Sequence, residues 1–376
     1  MIFRFIHSSD LHLGRRFANI TEPPDGNLRG RLMEARFDKI RVLAEAAREQ
    51  GAGHVLLAGD TFDSATPSLQ VLRQALAAMR DAADVQWWLL PGNHDNLRNA
   101  EPVWDEIGGD APENVHGLLD TSAIEITPGV ALLPCPVPVR ATGRDLTEDL
   151  TRVQTPEGTL RIGLAHGGVV DFTDSGEQIP PDRDKSAGLD YLALGDWHGR
   201  LQVSARTQYP GTPEQDRFKH DTRGQCLAVT IMGLGATPEV SEIETGSFLW
   251  AELALPLHEG EDAAAALDAR LLTTERRNTL LRIKAGGWAS LAGHAALRVA
   301  AERHAPEFAM LDLRTDGLGT LHDMTDLDAI DHAGAMRLAA ERLMAEAEDA
   351  TLAEEQRDIA AAALNRLYAY STEAPR

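Results

Sequence analysis

Residues 85–95 read VQWWLLPGNHD, and the fold follows from how this stretch is built. A short run that is apolar almost throughout, closed by Pro-Gly, is a strand buried on both faces rather than one side of an amphipathic helix. The run then breaks into Asn93, His94 and Asp95. The same construction recurs on either side of it. IFRFIH at 2–7 leads into SSDLH, HVLLAGD occupies 54–60, LRIGLAH occupies 160–166, and YLALGDWH occupies 191–198. Helical patterns separate them. One covers 30–49, with Leu32, Ala35, Ile40, Leu43 and Ala47 on its apolar side and Gly51 and Gly53 stopping it; another covers 68–80. Strands alternating with helices make an α/β fold in which the sheet is covered on both faces. Sites in such folds form where the strands end, at their carboxyl edge. The five loops are therefore expected at one edge of one sheet.

The loops carry Asp10 and His12; Asp60, with Asp63 after it; Asn93, His94 and Asp95; His166; and Asp196 and His198. Carboxylate, amide oxygen and imidazole together suit two borderline divalent cations such as Mn²⁺, Fe²⁺ or Zn²⁺, whereas oxygen ligands alone would suit Mg²⁺ or Ca²⁺. A carboxylate has two oxygens and can bridge two cations, the role given to Asp60. Extended backbone at Asp10-Leu11-His12 would place both side chains on one side. Gly59, Gly92 and Gly195 allow sharp turns and close backbone approach. Isolated histidines such as His7, His54 and His116 read as structural, and Trp87 and Trp88 as core.

Composition narrows the function. With 36 Lys+Arg against 58 Asp+Glu, the net charge of −22 excludes a protein that coats nucleic acid by bulk charge. Arg15, Arg16, Arg29, Arg31 and Arg36 cluster after the first loop and read either as contacts to a DNA backbone or as a solvated loop and helix face. No apolar run approaches the ~18 residues of a membrane span. The start of the chain is too polar for a signal peptide, and two cysteines are too few for a disulfide scaffold. A cytoplasmic protein without a membrane partner is expected. No Gly-x4-Gly-Lys-Ser/Thr loop is present, so the chain is not itself an ATPase.

Residues 200–245 read as β-hairpins, with turns at Pro210-Gly211 and Gly233–Gly235. The character changes near Ser247. A β-α-β-α-β pattern follows, and the Ala-rich end reads as two amphipathic helices over 327–348 and 351–369. The expected division is 1–246, 247–320 and 321–376.

The series Asp-x-His, Gly-Asp, Gly-Asn-His-Asp, His and Gly-Asp-x-His resembles the calcineurin-like metallophosphoesterases. Within that family FIHSSDLHLG at 5–14 and Tyr209-Pro-Gly-Thr-Pro213 are most similar to the nuclease subunit of the bacterial SbcCD DNA repair complex. The resemblance implies a four-layer α-β-β-α sandwich with an α+β capping domain over 247–320 and partner-binding helices over 321–376. It implies a first metal held by Asp10, His12, Asp60 and His198, and a second by Asp60, Asn93, His166 and Asp196. His94 would act on the phosphate or leaving group, oriented by a hydrogen bond between its imidazole and Asp95, the carboxylate accepting. Asp196 stands where the family usually has His, which would harden the second site. The implied activity is that of a Mn²⁺-dependent DNA exo- and endonuclease in DNA repair, with water activated by the two cations. A phosphatase or phosphodiesterase for a nucleotide or other small phosphoester is the alternative. DNA, an SMC-like coiled-coil ATPase and a second copy of the chain are the implied partners.

Overall fold

The computed structural model describes residues 2–23, 26–169, 178–220, 222–321 and 334–372. The chain divides into two compact units, Met1–Leu249 and Trp250–Arg376.

The first unit contains two six-stranded sheets. In the first sheet β1 (Phe3–Ser8), β2 (His54–Leu57), β3 (Gln86–Leu89) and β4 (Val115–Gly117) are parallel neighbours. The antiparallel pair β11 (Gln225–Ile231) and β12 (Glu239–Glu244) extends it beyond β1. In the second sheet β6 (Val130–Cys135), β7 (Leu160–His166), β8 (Tyr191–Gly195) and β10 (Thr207–Tyr209) run parallel. It is edged by antiparallel β5 (Ile124–Thr127) and β9 (Leu201–Gln202).

Alternation along each strand sorts its side chains between two cores. Phe5, Trp88, Ile162, Leu164 and Tyr191 fill the layer between the sheets. Ile6, Trp87 and Leu89 face the other way, into a core shared with α1 (Leu28–Glu49), α2 (Leu69–Asp81) and α3 (Glu101–Asp110). Truncating a fully buried aromatic such as Phe5 to Ala would cost roughly 3–5 kcal/mol. Asn27 and Ser68 cap α1 and α2 by accepting the Gly30 and Val71 amides. The outer face of the second sheet is covered more thinly, by the 3-10 turn Leu146–Thr151 and the short α4 (Arg183–Ser186). This is the α-β-β-α sandwich.

One expectation is corrected here. The five candidate loops do not leave one sheet: those after β1, β2 and β3 come from the first, those after β7 and β8 from the second. An apolar strand shows that both its faces are buried, but not whether a helix or another sheet buries them. Residues 200–245 hold two antiparallel hairpins, β9–β10 and β11–β12, as the sequence implies, and β10 also adds parallel to β8.

The second unit is a three-stranded sheet in the order β13 (Leu249–Leu257), β14 (Thr279–Ser290), β15 (Met310–Leu321), with β14 and β15 parallel. Its helices are α5 (Ala263–Arg270), α6 (Leu291–His304), α7 (Ala335–Glu348) and α8 (Glu354–Thr372). Leu291 of α6 packs with Ala340, Leu364 and Tyr368, so the terminal helices share a core with the sheet's own helix. The start of the expected 327–348 helix lies outside the described residues. Among the described residues no helix is long and apolar enough to cross a membrane.

Candidate metal centre

Asp10, His12, Asp60 and Asp196 all have left-handed backbone, with φ of 56°, 46°, 53° and 99°. Non-glycine residues are strained in this region, and the strain persists only where the surroundings impose it. It also corrects the extended reading of Asp10-Leu11-His12. The two side chains converge because the chain turns sharply at both residues, not because a strand alternates. The Asp10 and His12 amides donate to the Gly59 and Asp60 carbonyls, which ties the first loop to the second.

The glycines behave as the sequence implies. A Cβ on Gly59 would lie 2.2 Å from His166 Nδ1, one on Gly92 2.2 Å from Asp60 Oδ1, and one on Gly195 1.9 Å from the Ala58 carbonyl. The site closes around these three absent side chains.

The chain brings all the expected groups together. On one side His12 Nε2 lies 3.2 Å from His198 Nε2, and Asp10 Oδ1 lies 3.8 Å and 3.6 Å from them. Asp60 Oδ2 stands in the middle, 3.7 Å from His12 Nε2 and 3.5 Å from His166 Nε2. On the other side His166 Nε2 is 3.8 Å from Asp196 Oδ1, which accepts from the Asn93 amide at 3.4 Å. Asp10 Oδ1, Asn93 Oδ1 and His166 Nε2 are buried and have no hydrogen-bond partner among the described residues. Buried polar atoms are nearly always satisfied, so three lone-pair-bearing atoms facing one volume fit a cationic occupant. The far nitrogens are already used: His166 Nδ1 donates to the Ala58 carbonyl at 2.8 Å, and His198 Nδ1 to Asp216 at 3.1 Å. That fixes each ring with Nε2 toward the centre.

Electrostatics agree. Burial lowers the proton affinity of His166, but the carboxylates of Asp60, Asp10 and Asp196 outweigh it and raise its pKa well above the ordinary value. The same carboxylates make the volume favourable to a cation, which would displace that proton from the imidazole. Burial likewise opposes ionisation of Asp60, yet His166 and His12 hold it below the usual carboxylate range.

His94 is half-buried and contributes a nitrogen within 4.8 Å of ligand atoms of His12 and Asp60. Its Nδ1 donates to the Asp63 carbonyl at 2.8 Å. The expected hydrogen bond from this imidazole to the Asp95 carboxylate is not made. The Asp95 carboxylate instead accepts the Phe62 and Gly92 amides at 3.0 and 2.7 Å and locks the second and third loops together. Burial, then the charge of Asp60, pushes its pKa up.

The arginine cluster does not form one basic face. Arg36 is 1% exposed and donates to the Leu11 and Glu214 carbonyls. Arg29 is bonded to the Ile20 carbonyl, and Arg31 lies over the Phe248 ring. Arg15 reaches Asp216 at 3.0 Å, and Arg16 is exposed.

No sequence motif singles out Asp216. It is 3% exposed, holds His198, and is itself held by Arg15, Arg36 and Arg217. Asp63, to which the sequence assigns no role, places its Oδ1 3.3 Å from His12 Nδ1. The Tyr209–Pro213 segment braces the same loops. Thr212 Oγ1 donates to the Asp10 carbonyl at 2.9 Å, and Tyr209 donates to the Gly167 carbonyl at 2.6 Å.

Comparison with known proteins gives this geometry its family. The calcineurin-like phosphoesterase model matches residues 3–200, the stretch that carries all five candidate loops. The chain belongs to the calcineurin-like phosphoesterases. It is 28% identical over 231 residues to the uncharacterized metallophosphoesterase YhaO of Bacillus subtilis strain 168, covering 57% of this chain and 54% of that protein. The chain thus spans about half the length of that relative. Among solved structures it is similar to the purple acid phosphatase PPD1 of yellow lupin (TM-score 0.42, 11% identity, 65% of this chain and 52% of that one). A dimetal phosphatase of Danio rerio matches with a TM-score of 0.36 and 14% identity, over 65% of this chain and 99% of that one.

Proposed function

We propose that this phosphoesterase cuts phosphodiesters in DNA, with Mn²⁺ as its cation, and works in DNA repair. The observation that carries the hydrolytic chemistry is the convergence of unpartnered Asp10, Asn93 and His166 atoms around Asp60. Bound divalent cations would supply an acidic water and neutralise charge on the phosphoryl oxygens. Asp10, His12, Asp60 and His198 would hold one, and Asp60, Asn93, His166 and Asp196 the other. His94, outside both sets, stabilises the phosphoryl or departing oxygen. Asp95 fixes the His94 loop against the second loop through the Phe62 and Gly92 amides. Asp216 orients His198.

Support for DNA as substrate comes from FIHSSDLHLG and from Tyr209–Pro213, the two segments most similar to the repair nuclease branch. Guanidinium groups that remain partly exposed at the rim, Arg15 and Arg217, offer phosphate contacts despite the acidic chain. The small-phosphoester reading stays in contention because of the net charge of −22. Purified protein with Mn²⁺ should degrade linear DNA and a chromogenic diester and leave a panel of nucleotides largely intact. Hydrolysis of nucleotides but not DNA would select the alternative.

The SMC-like ATPase is proposed to dock on the helical pair α7–α8. Leu338 and Ile359 there are 68% and 63% exposed, while Leu364 and Tyr368 are in the unit's core. Removing the helices would uncover that core, so the informative variant is Leu338→Glu with Ile359→Glu. It should lose co-purification with the ATPase and keep its fold.

A further inference from the structure

Beside the second half of the site lies a cleft of about 120 Å³. Asn93, His166 and Asp196 are among its lining residues, so the cleft adjoins the candidate metal centre. Arg140 and Arg144 line the same cleft, together with Val137 and Ile179. Arg140 is exposed and has no hydrogen-bond or ion-pair partner among the described residues. Arg144 is steadied by Asp149 at 2.6 Å. Hydrogen bonds tie down the neighbouring residues. Asp145 accepts the Thr147 amide, and buried Arg183 clamps Asp145 at 2.5 Å and Thr147 at 3.0 Å.

The volume sets what can enter. Pockets for whole drug-sized ligands run from about 300 Å³ upward, and a cavity of about 150 Å³ holds a single small ring. A nucleoside does not fit, but one phosphate does. Two arginines line it, and a guanidinium matches the bidentate geometry of phosphate oxygens. In a chain this acidic, an arginine left without a carboxylate partner beside the reaction site is suited to an anionic ligand.

We infer that the cleft is a second phosphate site, taking a non-reacting phosphate of a substrate whose other phosphate lies at the metal centre, with Arg140 as its main contact. This rests on the phosphoesterase reading of the centre and adds a substrate class to it: a substrate with at least two phosphate groups. A DNA strand meets that requirement, and so does a nucleoside diphosphate.

The test compares substrates on the Mn²⁺-loaded full chain. A thymidylyl dinucleotide has one phosphodiester, the trinucleotide has two, and thymidine diphosphate presents both phosphates on one nucleoside. The wild-type protein should prefer a two-phosphate substrate by kcat/KM. Arg140→Ala should lower that preference about tenfold, the scale of one lost charge-assisted hydrogen bond. Arg140→Lys should retain part of it. A preference carried by the trinucleotide identifies a strand, and one carried by thymidine diphosphate a mononucleotide. An unchanged preference in Arg140→Ala overturns the inference. So does refusal of both two-phosphate substrates by protein that still hydrolyses bis(p-nitrophenyl) phosphate, a result that leaves the phosphoesterase reading standing. Failure on every ester removes both.

Discussion

Asp10, His12 and His198 have side chains 0%, 1% and 9% exposed, whereas Asp196, beyond Asp60 from His12 and His198, is 38% exposed. The closed half is also the better braced. His198 leans on Asp216, and Asp216 is gripped by Arg15, Arg36 and Arg217. On the open half His166 rests on a single backbone carbonyl, and Asp196 borders the cleft of Arg140. A site built this way is preorganised on one side and accessible on the other, so substrate would enter beside the open half.

Asp60 joins the two halves and should show the largest effect. Asp60→Asn keeps the shape and removes the charge that His12 and His166 both face. Elemental analysis should find both cations depleted. Hydrolysis of the chromogenic diester should fall well beyond the roughly 10–100-fold typical of an outer supporting residue. Chelation of the wild-type protein should do the same and Mn²⁺ should reverse it. A variant that keeps both cations would break the comparison, because the halves would then not share this carboxylate.

His94 comes next. It belongs to neither half, and His94→Ala should retain its metal while losing roughly 10²–10⁴-fold in rate. Loss of metal from this variant would move His94 into the ligand set.

The closed half is more legible in sequence than its bracing. Asp10, His12, Asp60 and His198 sit in short contiguous motifs at strand ends, where residue type and position announce chemistry together. Asp216 sits in PEQDRF, a charged loop without periodicity, and its role depends on folding back onto a histidine 18 residues earlier. The left-handed turns at Asp10 and His12 are illegible because no glycine marks them. The strands 54–57, 86–89, 160–166 and 191–195 are readable from their apolar runs. Residues 101–135 are not, since α3 contains two glycines and β4 is only three residues long. Membership of two sheets is visible only through family resemblance, because burial of a strand does not say what buries it.

Asp216→Asn tests the bracing itself. Its amide could still accept from His198 but would no longer neutralise three arginines. Affinity at the closed half should weaken by roughly 10–100-fold, with the open half nearly unaffected. Metal titration followed site by site would show it. Equal weakening at both halves would mean that the Asp216 network supports the whole fold of the centre.

Asp196→His should have the smallest effect and sharpen the contrast most. Asp196 is the exposed member and stands where the family usually has imidazole. Its backbone amide, donating to Asp10 at 3.1 Å, anchors the loop whatever the side chain is. Exchanging the carboxylate for imidazole should leave the closed half alone and soften the open one, raising Zn²⁺ or Fe²⁺ affinity relative to Mn²⁺ there. The expected change is in order of preference rather than in occupancy, because Asp60, Asn93 and His166 remain. Competitive titration of both proteins with Mn²⁺ and Zn²⁺ measures it. An unaltered preference would mean that Asp196 serves the open half as a wall of the substrate cleft and not as a ligand.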